Sequence, residues 1–287
     1  ILKSIIKNGR VTVDASFNFD KSGKIKDDYS ISGTFKDGEI NISNNYNFKK
    51  ISFFFNLKNN NFSFQNVNLK SNDINFVSKN LEIKKIQKNF YFKGDIENEE
   101  TTLNNKLLKL ISKSYKNMNF LNINFKSKNN FSFILNKNLS FKNLEVTSNI
   151  KIKNSKYKKL DLFNKYLPKI QDLIIIKDHD IKAIYKDNEL NVNGMGKIQV
   201  QNEFDQINYS ISKLGDKFNF DVKLFLNKSL LNIDYLNFSK NKNLKTQIVV
   251  VGNYKKNNSL NFNEINLFSK DNKIKFINFS INKNNKI

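Results

Sequence analysis

The sequence predicts a mainly β protein in which one long antiparallel meander supplies nearly all of the ordered structure. Apolar and polar residues alternate along most of the chain, which is the period of a strand with one dry and one wet face. Polar turn clusters such as KSGK, KNNN and LGDK recur at a spacing of about ten to fourteen residues, which is typical of a meander. Strands do not alternate with helical segments, so we expect an antiparallel sheet.

The first strands lie in the N-terminal third. In YSISGTFKDGEINI (29–42), Ile31 and Phe35 face one way while Ser32 and Thr34 face the other, and residues 36–38 (KDG) are predicted as a hairpin turn. The same alternation continues toward residue 92. Its remaining apolar positions are Val11, Val13, Ala15, Phe17, Phe19, Ile51, Phe53, Phe55, Leu57, Phe62, Phe64, Val67, Leu69, Ile74, Phe76, Leu81, Ile83, Phe90 and Phe92.

The last third of the chain repeats the pattern. Its apolar positions are Ile207, Tyr209, Ile211, Phe218, Phe220, Val222, Leu224, Leu226, Leu260, Phe262, Ile265, Leu267, Phe279 and Ile281. Strict alternation there places the apolar Phe225 on the wet face, which predicts a bulge near Phe225 or a second, partly covered face. The glycines of GMG (194–196) predict a bulge or a tight bend, since this stretch lacks the third glycine and the helix of a dinucleotide loop.

Two segments show a helical period instead. Residues 101–118 place Leu103, Leu107, Leu110 and Ile111 on one stripe, with acidic residues before it and lysines toward its end, as the helix dipole favours. Residues 157–167 form the second predicted helix, which Pro168 ends. We expect each amphipathic helix to cap an end of the sheet.

Composition excludes several classes of function. The net charge is +23, but Arg10 is the single arginine among 49 basic residues. Readers of nucleic acid favour arginine forks and aromatic side chains interleaved with the basic ones, whereas here the aromatics alternate away from lysine, so no nucleic-acid partner is predicted. Without cysteine there is no disulfide framework. The longest apolar runs, LIII (173–176) and IVVV (248–251), are too short to span a bilayer.

The sequence contains little that resembles catalytic machinery. His179 is its single histidine, and in a strand Asp178 and Asp180 would face away from it, so we interpret His179 as a surface residue. No serine lies in a nucleophile elbow, and no cluster of histidine and carboxylates has metal-ligand spacing. We therefore expect a protein that is not an enzyme and has no catalytic residue, no cofactor and no metal site.

A sheet with one apolar face needs something to cover that face. Folding into a sandwich, closing into a barrel, or curling into an open trough covered by acyl chains would each do so. Periodicity does not choose among the three, because all of them use the same alternation.

A family resemblance bears on this choice. Residues 160–224 contain an amphipathic segment with YLP (166–168), a short apolar strand, the unit NELNVNGMGKIQV, and a long hairpin. This stretch, and the earlier YSISGTFKDGEINI, resemble the AsmA-like proteins of Gram-negative bacteria. The resemblance implies one continuous segment, residues 1–287, of a repeating β-groove: an open antiparallel meander with an apolar groove. It further implies a periplasmic protein, anchored in the inner membrane, that conducts phospholipids toward the outer membrane.

Because the chain opens on Ile1, we expect a fragment of a longer protein whose membrane anchor lies outside it. The expected partner is a phospholipid or another acyl-chain lipid, and a trough carrying lipopolysaccharide is a variant of this class. The alternative is a structural or adhesive β-rich surface module with a closed core. The residues predicted to line the groove are Ile31, Phe35, Phe53, Phe55, Ile207, Tyr209, Ile211, Phe218, Phe220, Val222 and Leu224.

Overall fold

The structure is a computed structural model that describes residues 6–43, 46–104, 120–138, 140–159, 167, 169–255, 260–270 and 272–281. Strands occupy most of these residues, and a short 3-10 helix spans Asp234–Leu236. The strands are β1 (Ile6–Ser16), β2 (Ser30–Ser43), β3 (Tyr46–Lys58), β4 (Asn61–Ser71), β5 (Ile74–Ile86), β6 (Asn89–Asn104), β7 (Phe120–Leu135), β8 (Phe141–Lys158), β9 (Leu173–Lys186), β10 (Glu189–Gln199), β11 (Phe204–Leu214), β12 (Lys217–Phe225), β13 (Leu231–Ile233), β14 (Phe238–Lys240), β15 (Thr246–Lys255), β16 (Leu260–Ser269) and β17 (Asn272–Ile281).

Fifteen of these strands form one antiparallel meander, so the predicted mainly β class is confirmed. Each strand pairs with its neighbours in sequence, except that β12 pairs with β15. The two strands between them, β13 and β14, form a separate hairpin. The large sheet begins at β1, ends at β17 and is not closed, so the barrel alternative is wrong.

The chain divides into two compact units. Unit 1 comprises residues 1–101 and 126–148, and unit 2 comprises residues 102–125 and 149–287. Whether the whole chain acts as one continuous groove stays a prediction.

The strands of unit 1 are longer than the sequence pattern indicated, because left-handed polar residues within them form bulges and the strands continue. Residues 36–38 do not form a hairpin turn: β2 runs through them, with β1 and β3 paired to it on both sides. Asp37 has a φ of 56° and lies where the register shifts. Asn66, with a φ of 51°, is a similar bulge in β4, at the point where the alternation of apolar and polar residues shifts by one position. Aspartate and asparagine tolerate this left-handed conformation better than most residues, so the strand bends and continues.

Neither predicted helix is confirmed. Thr101 and Thr102 belong to β6, and Tyr157 and Lys158 belong to β8, so both predicted starts are wrong. β-branched threonines favour a strand, and Leu103 packs in the strand at 7% exposure. Most of the rest of the two predictions, residues 105–118 and 160–166, lies outside the described residues.

A buried core among the described residues of unit 2 lies at one end of its strands. Leu226, Leu231 and Leu267 are its fully buried members, and Leu224 and Phe238 pack against them among others. Leu226, Leu231 and Phe238 come from residues 226–245, which connect β12 to β15 and carry the β13–β14 hairpin. We call residues 226–245 the insertion. The insertion covers an end of the sheet, which is the position that we predicted for the helices.

We predicted either a bulge near Phe225 or a second, partly covered face, and the structure has the partly covered face. β12 pairs without a register shift on both sides, so a bulge there is wrong. Phe225 lies opposite Gln206 and Gln247 on the wet face and is half-buried. The wet face is therefore partly covered at this position.

Candidate functional site

The pairing register of unit 2 aligns apolar residues in rows that cross the strands from β9 to β17. Residues directly opposite each other in an antiparallel pair lie on the same face of the sheet. Tyr209 is opposite both Gly194 and Val222, and Val222 is opposite Val250. The same chain of pairs can be followed across the meander strands from β9 to β17. We call the resulting surface the apolar face.

Three rows make up most of this face. The first open row is Ile181, Gly194, Tyr209, Val222, Val250, Ile265 and Phe276, and the second is Ala183, Val192, Ile211, Phe220, Gly252, Phe262 and Phe279. The covered row is Ile207, Leu224, Ile248, Leu267 and Ile274. In the open rows the large side chains are half-buried, apart from Phe276, which is exposed. In the covered row Leu267 is buried under the insertion.

Aromatic rings lie flat over glycines within the open rows. A Cβ at Gly194 would overlap the ring of Tyr209, and a Cβ at Gly252 would crowd the ring of Phe220. Each glycine is directly opposite its aromatic partner across the strand pair. This explains glycine in a strand interior, where it is otherwise unfavourable, because it leaves room for the neighbouring ring to lie along the sheet.

The opposite face of unit 2 is mostly polar. A row of short polar side chains crosses it, in which Asn219 donates to the Ser212 hydroxyl at 3.1 Å and Asn261 donates to the Asn253 side-chain oxygen at 3.2 Å. Two aromatic residues on this face lie near lysines: the ammonium of Lys273 is 5.3 Å from the ring centroid of Phe268, and that of Lys177 is 5.7 Å from the ring centroid of Phe204. Such a contact covers an exposed ring with an aliphatic stem and a charge.

The predicted groove residues fall into two groups. In unit 2, Ile207, Tyr209, Ile211, Phe218, Phe220, Val222 and Leu224 all share the apolar face. In unit 1, Phe35 and Phe53 stack with ring centroids 5.1 Å apart, and Phe55 joins them at 6.2 Å from Phe53. Ile31 shares their face, because it pairs with Leu57 two positions from Phe55. All eleven are half-buried, and their role as lipid contacts stays a prediction.

The interpretation of His179 as a surface residue is wrong. It is 4% exposed and lies on the apolar face, where its ring fills the space above Gly196. A register shift between β9 and β10 lies at GMG, where we predicted a bulge, but its extra residue is on β9, next to Asp178 with its φ of 51°. This shift brings the His179 ring to its position. His179 lies two residues from the apolar Ile181 and therefore on the same face of the strand, which was the sequence signal for its burial. The surface interpretation had rested only on the two aspartates that face away.

Hydrogen bonds fix the state of the His179 ring. Its Nε2 lies 3.1 Å from the carbonyl oxygen of Lys197, which can only accept, so Nε2 carries the proton. Nδ1 of the neutral ring then faces the hydroxyl of Tyr209 at 3.5 Å. Burial lowers the pKa of His179, against the opposing effects of the Lys197 carbonyl and of the two flanking aspartates. Burial also raises the pKa of Tyr209, so both groups are neutral near pH 7.

A cavity of unit 2 opens on its polar side. It has a volume of about 670 Å³, and its lining includes the ion pair of Lys151 with Asp180 (3.1 Å), together with Met195 and Asn208. Of the predicted groove residues, Tyr209 alone borders it. A small cavity of about 70 Å³ lies in unit 1, where Leu69, Phe76 and Phe131 contribute to its apolar lining. The 670 Å³ cavity is therefore not the apolar groove that we predicted.

Among the described residues, no group of histidine, cysteine and carboxylate side chains could hold a metal ion. In the same part of the chain, no helix has the length and hydropathy needed to cross a membrane. The chain matches no protein family, no curated protein and no solved structure.

Proposed function

We propose that this chain is a lipid-conducting β-sheet protein of the AsmA-like kind, which holds the acyl chains of phospholipids against its apolar face. The observation that carries the proposal is the pair of open rows in unit 2, which continue from β9 to β17 while the reverse face is mostly polar. Six strand-to-strand steps of about 4.8 Å give each row a length of about 29 Å. A strip of this length suits an extended acyl chain.

The chemistry of the open rows favours a ligand that can slide. Their side chains are aliphatic or aromatic, apart from the Tyr209 hydroxyl near His179, so they offer apolar area and little directional bonding. A methylene half-buried on such a surface gains about 0.4 kcal/mol, and ten of them gain about 4 kcal/mol. That is enough to retain a chain but leaves no single contact that must break for the lipid to advance.

The cellular setting belongs to the same proposal. By its resemblance to AsmA-like proteins, the chain acts in the periplasm of a Gram-negative bacterium and passes phospholipid between the inner and the outer membrane. This role needs no catalytic residue and no cofactor. A structural module whose apolar face is closed by protein is the competing candidate, and the insertion, which already covers one row, is the observation in its favour.

A photocrosslinking experiment separates the two candidates. The photoreactive residue p-benzoylphenylalanine replaces Phe220 on the apolar face in one variant and Asn219, its neighbour on the polar face, in the other. After irradiation with phospholipid vesicles, we expect lipid adducts at position 220 and none at position 219. Adducts at neither position, in proteins that give the circular dichroism of a β-sheet, would favour the closed module instead.

A further inference from the structure

The insertion packs its own apolar side chains over the covered row. Leu231 is buried in the same cluster as Leu267, and Ile233 and Phe238 pack against that cluster, as does Ile248 of the covered row. The open rows lie farther along the same strands and are not part of the cluster. Because the rows run across the strands, the insertion forms a boundary parallel to the open rows.

A buried carboxylate anchors the start of the insertion. Asp205 accepts the backbone N–H groups of Asn227 and Lys228 at 2.7 and 2.8 Å through Oδ1, and that of Ser229 at 3.1 Å through Oδ2. Asp205 is 2% exposed. In β11 it has the same parity as Ile207 and Tyr209, so it lies on the apolar face and points beneath the insertion.

Two further buried side chains hold the same loop. Gln201 accepts the N–H of Leu230 at 2.8 Å and donates to its carbonyl oxygen at 3.1 Å. The ammonium of Lys240 donates to the carbonyl oxygens of Ser229 and Asn241 at 2.6 and 3.1 Å, and the residue is 1% exposed. Polar side chains buried this deeply are stable only when they are hydrogen-bonded, so displacing the insertion would be costly.

We propose that the insertion is a fixed side wall of the lipid-binding strip. It excludes acyl chains from the covered row and confines them to the two open rows. Asp205 and Lys240 act as positioning residues that hold the wall in place. This inference rests on the proposed function, because it states where on the apolar face the acyl chains run.

On β10 the ring of His179, and not the insertion, continues the wall. The residue opposite Ile207 is Gly196, which has no side chain to fill the covered row. The buried ring of His179 lies over that glycine and is held by the Lys197 carbonyl. The covered row is therefore filled by protein at this strand as well.

The test uses a phospholipid that carries a diazirine in its acyl chain, with adducts on the wild-type chain located by tandem mass spectrometry. On β15, we expect adducts at Val250, in an open row, and none at Ile248, in the covered row. Val249 faces the polar side and is the matched control for accessibility from water. Equal labelling of Val250 and Ile248 would overturn the wall and leave the proposed function standing. Labelling at neither would contradict both.

Two variants then test whether the insertion is what protects Ile248. Asp205→Asn puts a donor amide beside backbone N–H groups and loosens the anchor, whereas Phe238→Ala opens space over the covered row and keeps the anchor. We expect adducts to appear at Ile248 in both, with Val250 still labelled. If Asp205→Asn does not fold, Phe238→Ala decides the matter alone. Continued protection of Ile248 in a folded Phe238→Ala protein would overturn the inference, and Asp216→Asn, in the exposed β11–β12 turn, should leave the wild-type pattern unchanged.

Discussion

Replacing Asp205 of β11 with alanine should loosen the insertion more than any single truncation within the insertion itself. The change removes the acceptor of three backbone N–H groups, those of Asn227, Lys228 and Ser229. A buried donor left without an acceptor costs about 1–3 kcal/mol, so three of them cost about 3–9 kcal/mol. Water can reach a loop at the end of a sheet, so we expect the lower end, about 3 kcal/mol.

Amide hydrogen exchange measures this loss where it occurs. A local loss of about 3 kcal/mol corresponds to exchange about a hundredfold faster at the three amides. A urea titration of the same protein reports the global free energy of unfolding, which should fall by a similar amount or less. The matched control is Asp216→Ala in the exposed β11–β12 turn, which should change stability by less than about 0.5 kcal/mol. Unchanged exchange at positions 227–229 in the Asp205→Ala protein would refute the reasoning.

Three further predictions concern the apolar face. Burial lowers the pKa of His179, so the unfolded chain binds more protons than the folded one below about pH 6.5. The melting temperature should therefore fall as the pH drops through this range. In the His179→Gln protein the melting temperature should depend less on pH. Gly194→Ala should cost about 1–3 kcal/mol, because the new Cβ overlaps Tyr209, and a double-mutant cycle with Tyr209→Ala should recover part of that cost. Ile207→Asp in the covered row should lower the melting temperature more than Ile211→Asp in an open row, and equal melting temperatures would contradict the distinction between the rows.

Much of the sheet could be predicted from the sequence because its alternation is so regular. In β12, for example, Phe218, Phe220, Val222 and Leu224 share a face as predicted, since a period of two leaves a strand no other way to bury them. The shared parity of these residues was therefore sufficient to identify the apolar face of unit 2.

Polar residues within strands were harder to interpret. An aspartate or asparagine with glycine nearby signals a turn, and the local sequence does not reveal that strands on both sides will pair across it. Asp37, in the predicted turn at residues 36–38, and Asn66 are both bulges within strands. The change of apolar parity, from Phe62 and Phe64 to Val67 and Leu69, was the visible sign, because a strand that continues through a bulge shifts its parity by one residue.

The insertion was missed for a different reason. Its stability depends on Asp205, Gln201 and Lys240, polar residues whose burial follows from tertiary contacts and not from any local period. Asp205 did carry a signal, since a carboxylate at an apolar position of an alternating strand needs a partner. That partner proved to be the backbone of a loop more than twenty residues further along the chain, which no local pattern could identify.

The most direct test of the central claim is the phospholipid content of the purified protein, measured by mass spectrometry for the wild type and for two variants. Ile211→Asp places a carboxylate in the second open row, and Ser210→Asp places one on the polar side of the same strand. We predict phospholipid bound to the wild type and to Ser210→Asp, and its loss from Ile211→Asp, in proteins that all retain their fold by circular dichroism. A wild-type protein without lipid, or an Ile211→Asp protein that keeps it, would contradict the claim that acyl chains lie on the apolar face.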